Sequence, residues 1–287
     1  MKISFILMIA LSATFISCNN DAAKKDEAVE AQVEDRGPAP LDDISTSKDI
    51  HVLLCQDWEN KEDAEDAAAS GSGGDLEMPY RGFSFFKDGS FTENPRDKIR
   101  FGKWKLNDAE KIIDLEYSGG AKGHQKIGAI GPKQLILLNM ADKKKMEYKS
   151  DGLVEIEPTD DPFHPSNNQW RIKPSKSESD SAIKHRVKQS VTFYAKFLKD
   201  NAARGGNLVS FVGLPGCFKW YSGAITVANK SKIEDKWINC FYNQEQAIKG
   251  QQLLENVITK KYKWNKKEPN WVMQSADVMR QIYDTLR

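Results

Sequence analysis

An α+β chain, with an antiparallel β-barrel or half-barrel followed by a mostly α-helical domain, is predicted by three observations. Apolar residues recur with a period of two between about residues 49 and 157, in short runs separated by turn formers. From Ser179 onward the period becomes helical. The charge changes sign between the same two regions: residues 1–161 hold 21 Lys+Arg against 31 Asp+Glu, and residues 162–287 hold 21 against 10, so the halves carry about −10 and +11. An asymmetry of this size sets up opposed surface fields. It leaves open whether the halves dock on each other or whether the basic half faces anionic lipid headgroups or an acidic partner.

The chain begins Met1-Lys2, runs apolar from Ile3 to Ile16, and reaches Ser17-Cys18 just before polar Asn19-Asn20-Asp21. These are the n-region, h-region and processing site of a signal peptide. The run falls short of the ~20 residues that a permanent membrane span takes. Ser17-Cys18 resembles the lipobox of bacterial lipoproteins, with Phe15 where that motif prefers Leu. The resemblance implies removal of residues 1–17 and acylation (palmitate among the chains) of Cys18, with no transmembrane helix. Each buried acyl methylene adds ~0.8 kcal/mol of anchoring. Asn19, in place of the Asp of inner-membrane retention signals, implies the outer membrane, on its periplasmic or its surface side. Residues 18–48, rich in Ala, Asp, Glu, Lys and Pro and without an aromatic residue, then read as a lipidated flexible tether.

In residues 49–157, strands are expected at Ile50–Leu54 leading to Trp58, Tyr80–Phe86, around Phe91, Phe101–Leu106, Ile112–Leu115, Lys126–Ile130, Leu135–Asn139 and Lys145–Tyr148. Asp88-Gly89, Asn107-Asp108, Gly119-Gly120 and Gly131-Pro132 supply the turns. Closely spaced strands of this kind form an up-and-down antiparallel sheet able to close on itself. Cys55 falls in the first of them, as a buried thiol. The acidic, then Gly/Ser-rich insert Glu59–Asp75 reads as a solvated loop, because Glu62, Asp63, Glu65 and Asp66 lack the spacing that wraps oxygens around Ca²⁺.

Leu54-x-x-x-Trp58, the Lys87-Asp88-Gly89-Ser90-Phe91 hairpin, Gly102-x-Trp104-x-Leu106, Ile113-x-Leu115 and Leu135-x-Leu137 together resemble the lipocalin-like domains of envelope lipoproteins, especially those of the Bacteroidetes group. Gln56 stands where that family usually has Gly. Independently of the family, Gly102 allows a close backbone approach, and Trp58 and Trp104 are large enough to plug a small barrel. Trp58, Phe83, Phe85, Phe91, Trp104, Leu106 and Leu115 are the candidate barrel-lining or barrel-plugging residues. Barrels of this size either hold one small apolar ligand or fill with side chains; the residues leave both open.

Asp160-Asp161-Pro162-Phe163-His164-Pro165 marks the boundary to a basic, mainly helical domain, residues 162–287. Ile183, Val187, Val191, Tyr194 and Leu198 share one helix face, with Ser177 and Asp180 as the expected N-terminal cap. Leu208–Ala228 fits a short helix and then a strand or hairpin. Ile233, Trp237 and Phe241 begin another helical face; Ile248, Leu254, Val257 and Ile258 continue it, and Trp271, Val278, Ile282 and Leu286 close the core. Cys217 and Cys240 lie in the same half and are candidates for a disulfide, with three reduced core cysteines as the alternative.

Lys260, Lys261, Lys263, Trp264, Lys266 and Lys267 interleave cations with rings, the composition of nucleic-acid grooves and membrane-interface anchors alike. A solvated helix end with packed rings is the simplest expectation, with lipid headgroup, glycan or partner contact as the alternative; outside the cytoplasm, nucleic acid is not expected. For chemistry the sequence offers little. His51, His124, His164 and His185 lack metal-ligand spacing, and no nucleophile elbow or phosphate-binding loop occurs. Cys217 with His164 or His185 would be a dyad, but a half-cystine or core thiol explains it more simply. No catalytic residue, metal or cofactor is therefore expected. The expected role is a non-catalytic binding or assembly module of a membrane-associated complex, with envelope proteins as partners; the alternative is a carrier of an apolar small molecule.

Overall fold

The computed structural model describes residues 47–63, 65, 81–96, 98–152, 157–204, 218–221, 224–227, 233–258 and 262–286. The signal segment, Cys18 and the tether up to residue 46 lie outside them. Among the described residues, no helix is long and apolar enough to cross a membrane.

Eight antiparallel strands form a meander: β1 (Asp57–Asn60), β2 (Gly82–Phe85), β3 (Ser90–Glu93), β4 (Arg100–Asn107), β5 (Ile112–Tyr117), β6 (Lys122–Ile130), β7 (Gln134–Asn139) and β8 (Lys145–Lys149). Pairing of β8 with β1, Glu59 opposite Lys149 and Asn60 opposite Tyr148, closes the barrel. It is a full barrel, not a half-barrel. Period two fixes which residues enter it: Trp104 opposite Leu115 and Leu106 opposite Ile113 point in, while Lys103 and Lys105 point out. Gly89, at φ +76°, turns the β2–β3 hairpin. Gly102 fulfils the close approach expected of it, since a Cβ there would lie 1.9 Å from the Glu116 carbonyl oxygen.

One expected strand is a helix. Residues 50–54 belong to α1 (Ser47–Leu54), and the first strand starts only at Asp57. A five-residue apolar run does not distinguish strand from buried helix by period alone. Here the i, i+4 pair Ile50 and Leu54 is fully buried and closes one end of the barrel. The Trp58 indole donates to the Leu54 carbonyl at 3.0 Å, tying helix to strand. Cys55 thus sits in the turn after α1, half-buried, rather than in a strand.

The helical part comprises α2 (Pro165–Asn168), α3 (Asp180–Ala203), α4 (Asp235–Ile238), α5 (Gln244–Ile258) and α6 (Trp271–Thr285), with a hairpin of β9 (Phe218–Tyr221) and β10 (Ala224–Val227). The five residues expected on the buried face of α3 are all buried. The cap is Ser179, whose hydroxyl accepts from the Ala182 amide, and not Ser177. Ser177 instead accepts from the Gln246 side chain at 2.9 Å. Packing of α3 against α6 and α5 encloses Trp170, Trp237 and Phe241. Two expected core residues stay outside: Ile248 and Trp271 are 37% and 44% exposed.

The segment read as a boundary is a seam. Asp161, Pro162, Phe163 and His164 are buried against the outside of β1–β3. Thr92 donates its hydroxyl to the Phe163 carbonyl at 2.7 Å, and the Arg171 guanidinium donates to the Pro95 carbonyl.

Candidate functional site

Three places hold the residues with chemical potential: the barrel interior, the seam, and the segment before α6. Of the seven candidate interior residues, Trp58, Phe83, Phe85, Phe91, Trp104 and Leu115 are buried in one cluster, with Leu106 partly buried against it. Their rings touch in sequence, Tyr117 to Phe91 at 5.1 Å between centroids, Phe91 to Phe85 at 6.3 Å, and Phe85 to Trp104 and Phe83 at 5.4 Å each. Phe83 continues to Tyr148 at 5.7 Å. Such edge-to-face and offset contacts are what aromatic quadrupoles favour.

At the end opposite α1 the interior turns polar. Glu93, opposite Phe83 and hence facing in, lies 3.2 Å from Arg100, whose guanidinium sits 3.8 Å over the Tyr117 ring. Burial raises the Glu93 carboxyl above its usual range, with Arg100 opposing, and burial likewise raises the Tyr117 and Tyr148 hydroxyls. Nearby, Arg81 clamps Asp63 at 2.6 Å. Asp63 is therefore buried, and is not part of a solvated loop.

The seam carries a Ser–His–Asp cluster that sequence spacing did not reveal. Ser90 Oγ donates to Asp88 Oδ1 at 2.5 Å and lies 3.1 Å from His164 Nε2; Asp88 Oδ2 is 3.3 Å from the same nitrogen. His164 Nδ1 accepts from the Ser166 amide, which caps α2. Since the single Ser90 proton goes to Asp88, the network assigns the ring hydrogen to Nε2. A nucleophile relay needs the acid on Nδ1 and the serine alone on Nε2. Here serine and acid share Nε2, and both Ser90 and His164 are buried. The arrangement is a latch between the β2–β3 hairpin and the helical layer. Its one sequence signal, His164 flanked by Pro165 after the acidic pair, says nothing of a partner 74 residues away.

Beside it, Arg204 bridges Asp57 at 3.2 Å and Asp200 at 3.0 Å. Burial, then the neighbouring Asp57 and Asp200 charges, hold the Asp161 carboxyl well above its usual range, although the Phe163 amide donates to it at 2.7 Å. Burial also raises Asp200. Cys55, Asp57, Lys87, Asp161 and Arg204 line a small cleft of about 40 Å³. Among the described residues, no group of three or more His, Cys, Asp or Glu could hold a metal ion.

Cys240 is a buried free thiol donating to the Lys236 carbonyl at 3.3 Å, and burial pushes it up to about 12. Cys217, its candidate disulfide partner, lies outside the described residues, as do Lys260 and Lys261. Cys55 is also free, pushed by burial to about 11, and 3.8 Å from His51 Nδ1. Lys263, Lys266 and Lys267 are exposed, and Trp264 is half-buried against the helical core. Comparison with protein-family models, with characterised proteins and with solved structures gives no match for this chain.

Proposed function

We propose that this chain is an outer-membrane lipoprotein, acylated at Cys18, in which a lipocalin-like barrel and a basic helical layer act together as a non-catalytic binding or assembly module. The observation that carries the reading is the barrel interior, occupied from Trp58 to Tyr148 by the chain's own rings and stoppered by Ile50 and Leu54. A small barrel so filled serves as a rigid body, since native interiors are packed close to crystal density. The seam supports the same reading. It joins barrel and helices through buried hydrogen bonds, so that a surface on one is held in fixed relation to the other.

The carrier alternative draws on the polar residues Glu93, Arg100 and Tyr148 at the end opposite α1, where a ligand headgroup would enter. An environment-sensitive apolar dye, titrated into the mature protein, separates the two. The filled barrel leaves its emission unchanged; saturable micromolar binding abolished by Leu115→Trp would favour the carrier and overturn the module. The anchor is tested by metabolic labelling with an alkynyl palmitate analogue. Label is expected on the wild type and none on Cys18→Ala.

A further inference from the structure

We propose that the segment Tyr262–Trp271, together with the first turn of α6, is a docking surface for an anionic lipid bilayer. This deepens the lipoprotein reading and rests on it only for proximity: residues 19–46 can span at most ~95 Å, which keeps the folded part within reach of the membrane that holds Cys18.

Residues 260–267 contain five lysines and no acid. The described part is held rigidly along α6. The Lys263 amide donates to Gln281 Oε1 at 3.0 Å and its carbonyl accepts from Gln281 Nε2 at 2.8 Å. Farther along, the Glu268 carbonyl accepts from Gln274 at 2.6 Å, and Asn270 caps α6 through the Val272 amide at 2.9 Å. The segment therefore runs back from Gln281 to Trp271, ~15 Å at 1.5 Å per residue. It presents Lys263, Lys266 and Lys267 to solvent while Trp264 packs inward. The segment's acid, Glu268, is half-buried and accepts from the Asn270 amide.

Trp271 supplies the apolar component. It shares its helix face with Ser275, Val278 and Ile282, which are 0%, 1% and 0% exposed, yet its own side is 44% exposed. The apolar stripe of α6 thus continues past the end of the core into water, at the Trp271 end of the segment that exposes the three lysines. A ring with an apolar body and one polar N–H, on a segment that also exposes lysines, suits the headgroup level of a bilayer. Charge complementarity selects anionic lipid, because each lysine near such a surface strengthens binding about fivefold.

The test is co-sedimentation of the mature chain carrying Cys18→Ala with vesicles of phosphatidylcholine, with or without about one-third phosphatidylglycerol. Binding is expected to the anionic vesicles alone and to weaken as salt rises. The triple variant Lys263→Gln, Lys266→Gln, Lys267→Gln should lose about 100-fold, and Trp271→Ser about tenfold; all four side chains are at the surface, and far-ultraviolet circular dichroism checks that each variant folds. The proposal fails if neutral vesicles bind equally, if the triple variant binds like its parent, if nothing sediments at low salt, or if a soluble sulfated glycan is bound and vesicles are not. Loss of vesicle binding with Cys18 still labelled would sink this surface and leave the anchor standing. The reverse result would sink the anchor and keep the surface.

Discussion

The barrel has two outer faces built by one rule and used differently. On β4–β6 the outward residues Lys103, Lys105, Asp114, Glu116, Lys122, His124 and Lys126 are exposed. On β1–β3 the outward residues include Asp57, Ser84, Ser90 and Thr92, and the last three are no more than 3% exposed. Phe101, opposite Thr92, extends the covered face by one strand. Alternation alone distinguishes in from out. The chemistry of the outward residue distinguishes water from protein: long charged side chains where the barrel meets solvent, short hydroxyls where it meets the helical layer. Those hydroxyls satisfy groups that the contact would otherwise strand, such as the Phe163 carbonyl.

The sharpest way to break this comparison is to write the solvent rule onto the covered face. We predict that Thr92→Lys costs ~3 kcal/mol or more, because the ammonium would be buried without a counter-charge and the Phe163 carbonyl left unpaired. Lys103→Thr, the reverse change on the open face, should stay within ~0.5 kcal/mol. Urea unfolding midpoints measure both. If Thr92→Lys unfolds like its parent, the layer is not closed over β3.

The asymmetry also explains what the sequence did and did not disclose. Strands β4–β8 were legible because one face is water: alternation is clean, and Trp104, Leu106 and Leu115 could be assigned to the interior. The helices were legible for the same reason, apart from Ile248 and Trp271, whose stripe outruns the core. The covered strands were harder. Strand β2 is buried on both faces, so the alternation of Phe83, Ser84 and Phe85 had to be read from residue size. The run Ile50–Leu54, which touches the barrel end rather than its wall, had no period to betray a helix. The latch of Asp88, Ser90 and His164 was invisible because its members meet only through the closure of the seam.

A second, smaller break concerns the charge that the seam does bury. Asp161 faces Asp57 on β1, Asp200 on α3 and Arg204 just past the end of α3. Its carboxyl is raised in the folded state, chiefly by burial. An acid whose folded pKa exceeds its unfolded value stabilises fully below the unfolded value, and that stability is lost as pH rises through the folded one. Asp161→Asn keeps the acceptor for the Phe163 amide and removes the charge. We predict that the variant is more stable than the parent at pH 8 and that the gain vanishes toward pH 4, read as Tm across that range. A constant difference at every pH would mean that Asp161 is solvated. The effect is smaller than that of Thr92→Lys, which brings in a new charge and also strands the Phe163 carbonyl.

Accessibility of the thiols gives a finer comparison of the two cores. Burial raises both cysteines, Cys240 in the helical core more than Cys55 beneath the barrel. Since the thiolate is the reacting form, iodoacetamide at pH 8 should modify native Cys55 slowly and Cys240 only after unfolding, as read by mass spectrometry of tryptic peptides. Equal native rates would mean that the helical core opens as readily as the turn after α1.

The smallest expected effect tests the rule where it is least economical. Ser84 Oγ is buried on the covered face with no hydrogen-bond partner among the described residues, between Asp57 and Thr92 in register. An unpaired buried hydroxyl carries a desolvation penalty of ~1–3 kcal/mol that a methyl group does not. Ser84→Ala should therefore be neutral or up to ~1 kcal/mol stabilising, the opposite sign to Thr92→Ala, whose hydroxyl is paired and whose loss should cost ~1 kcal/mol. Two alanines on neighbouring strands of one face would then move the urea midpoint in opposite directions. If both destabilise alike, it is the volume of these side chains rather than their hydroxyls that the helical layer needs.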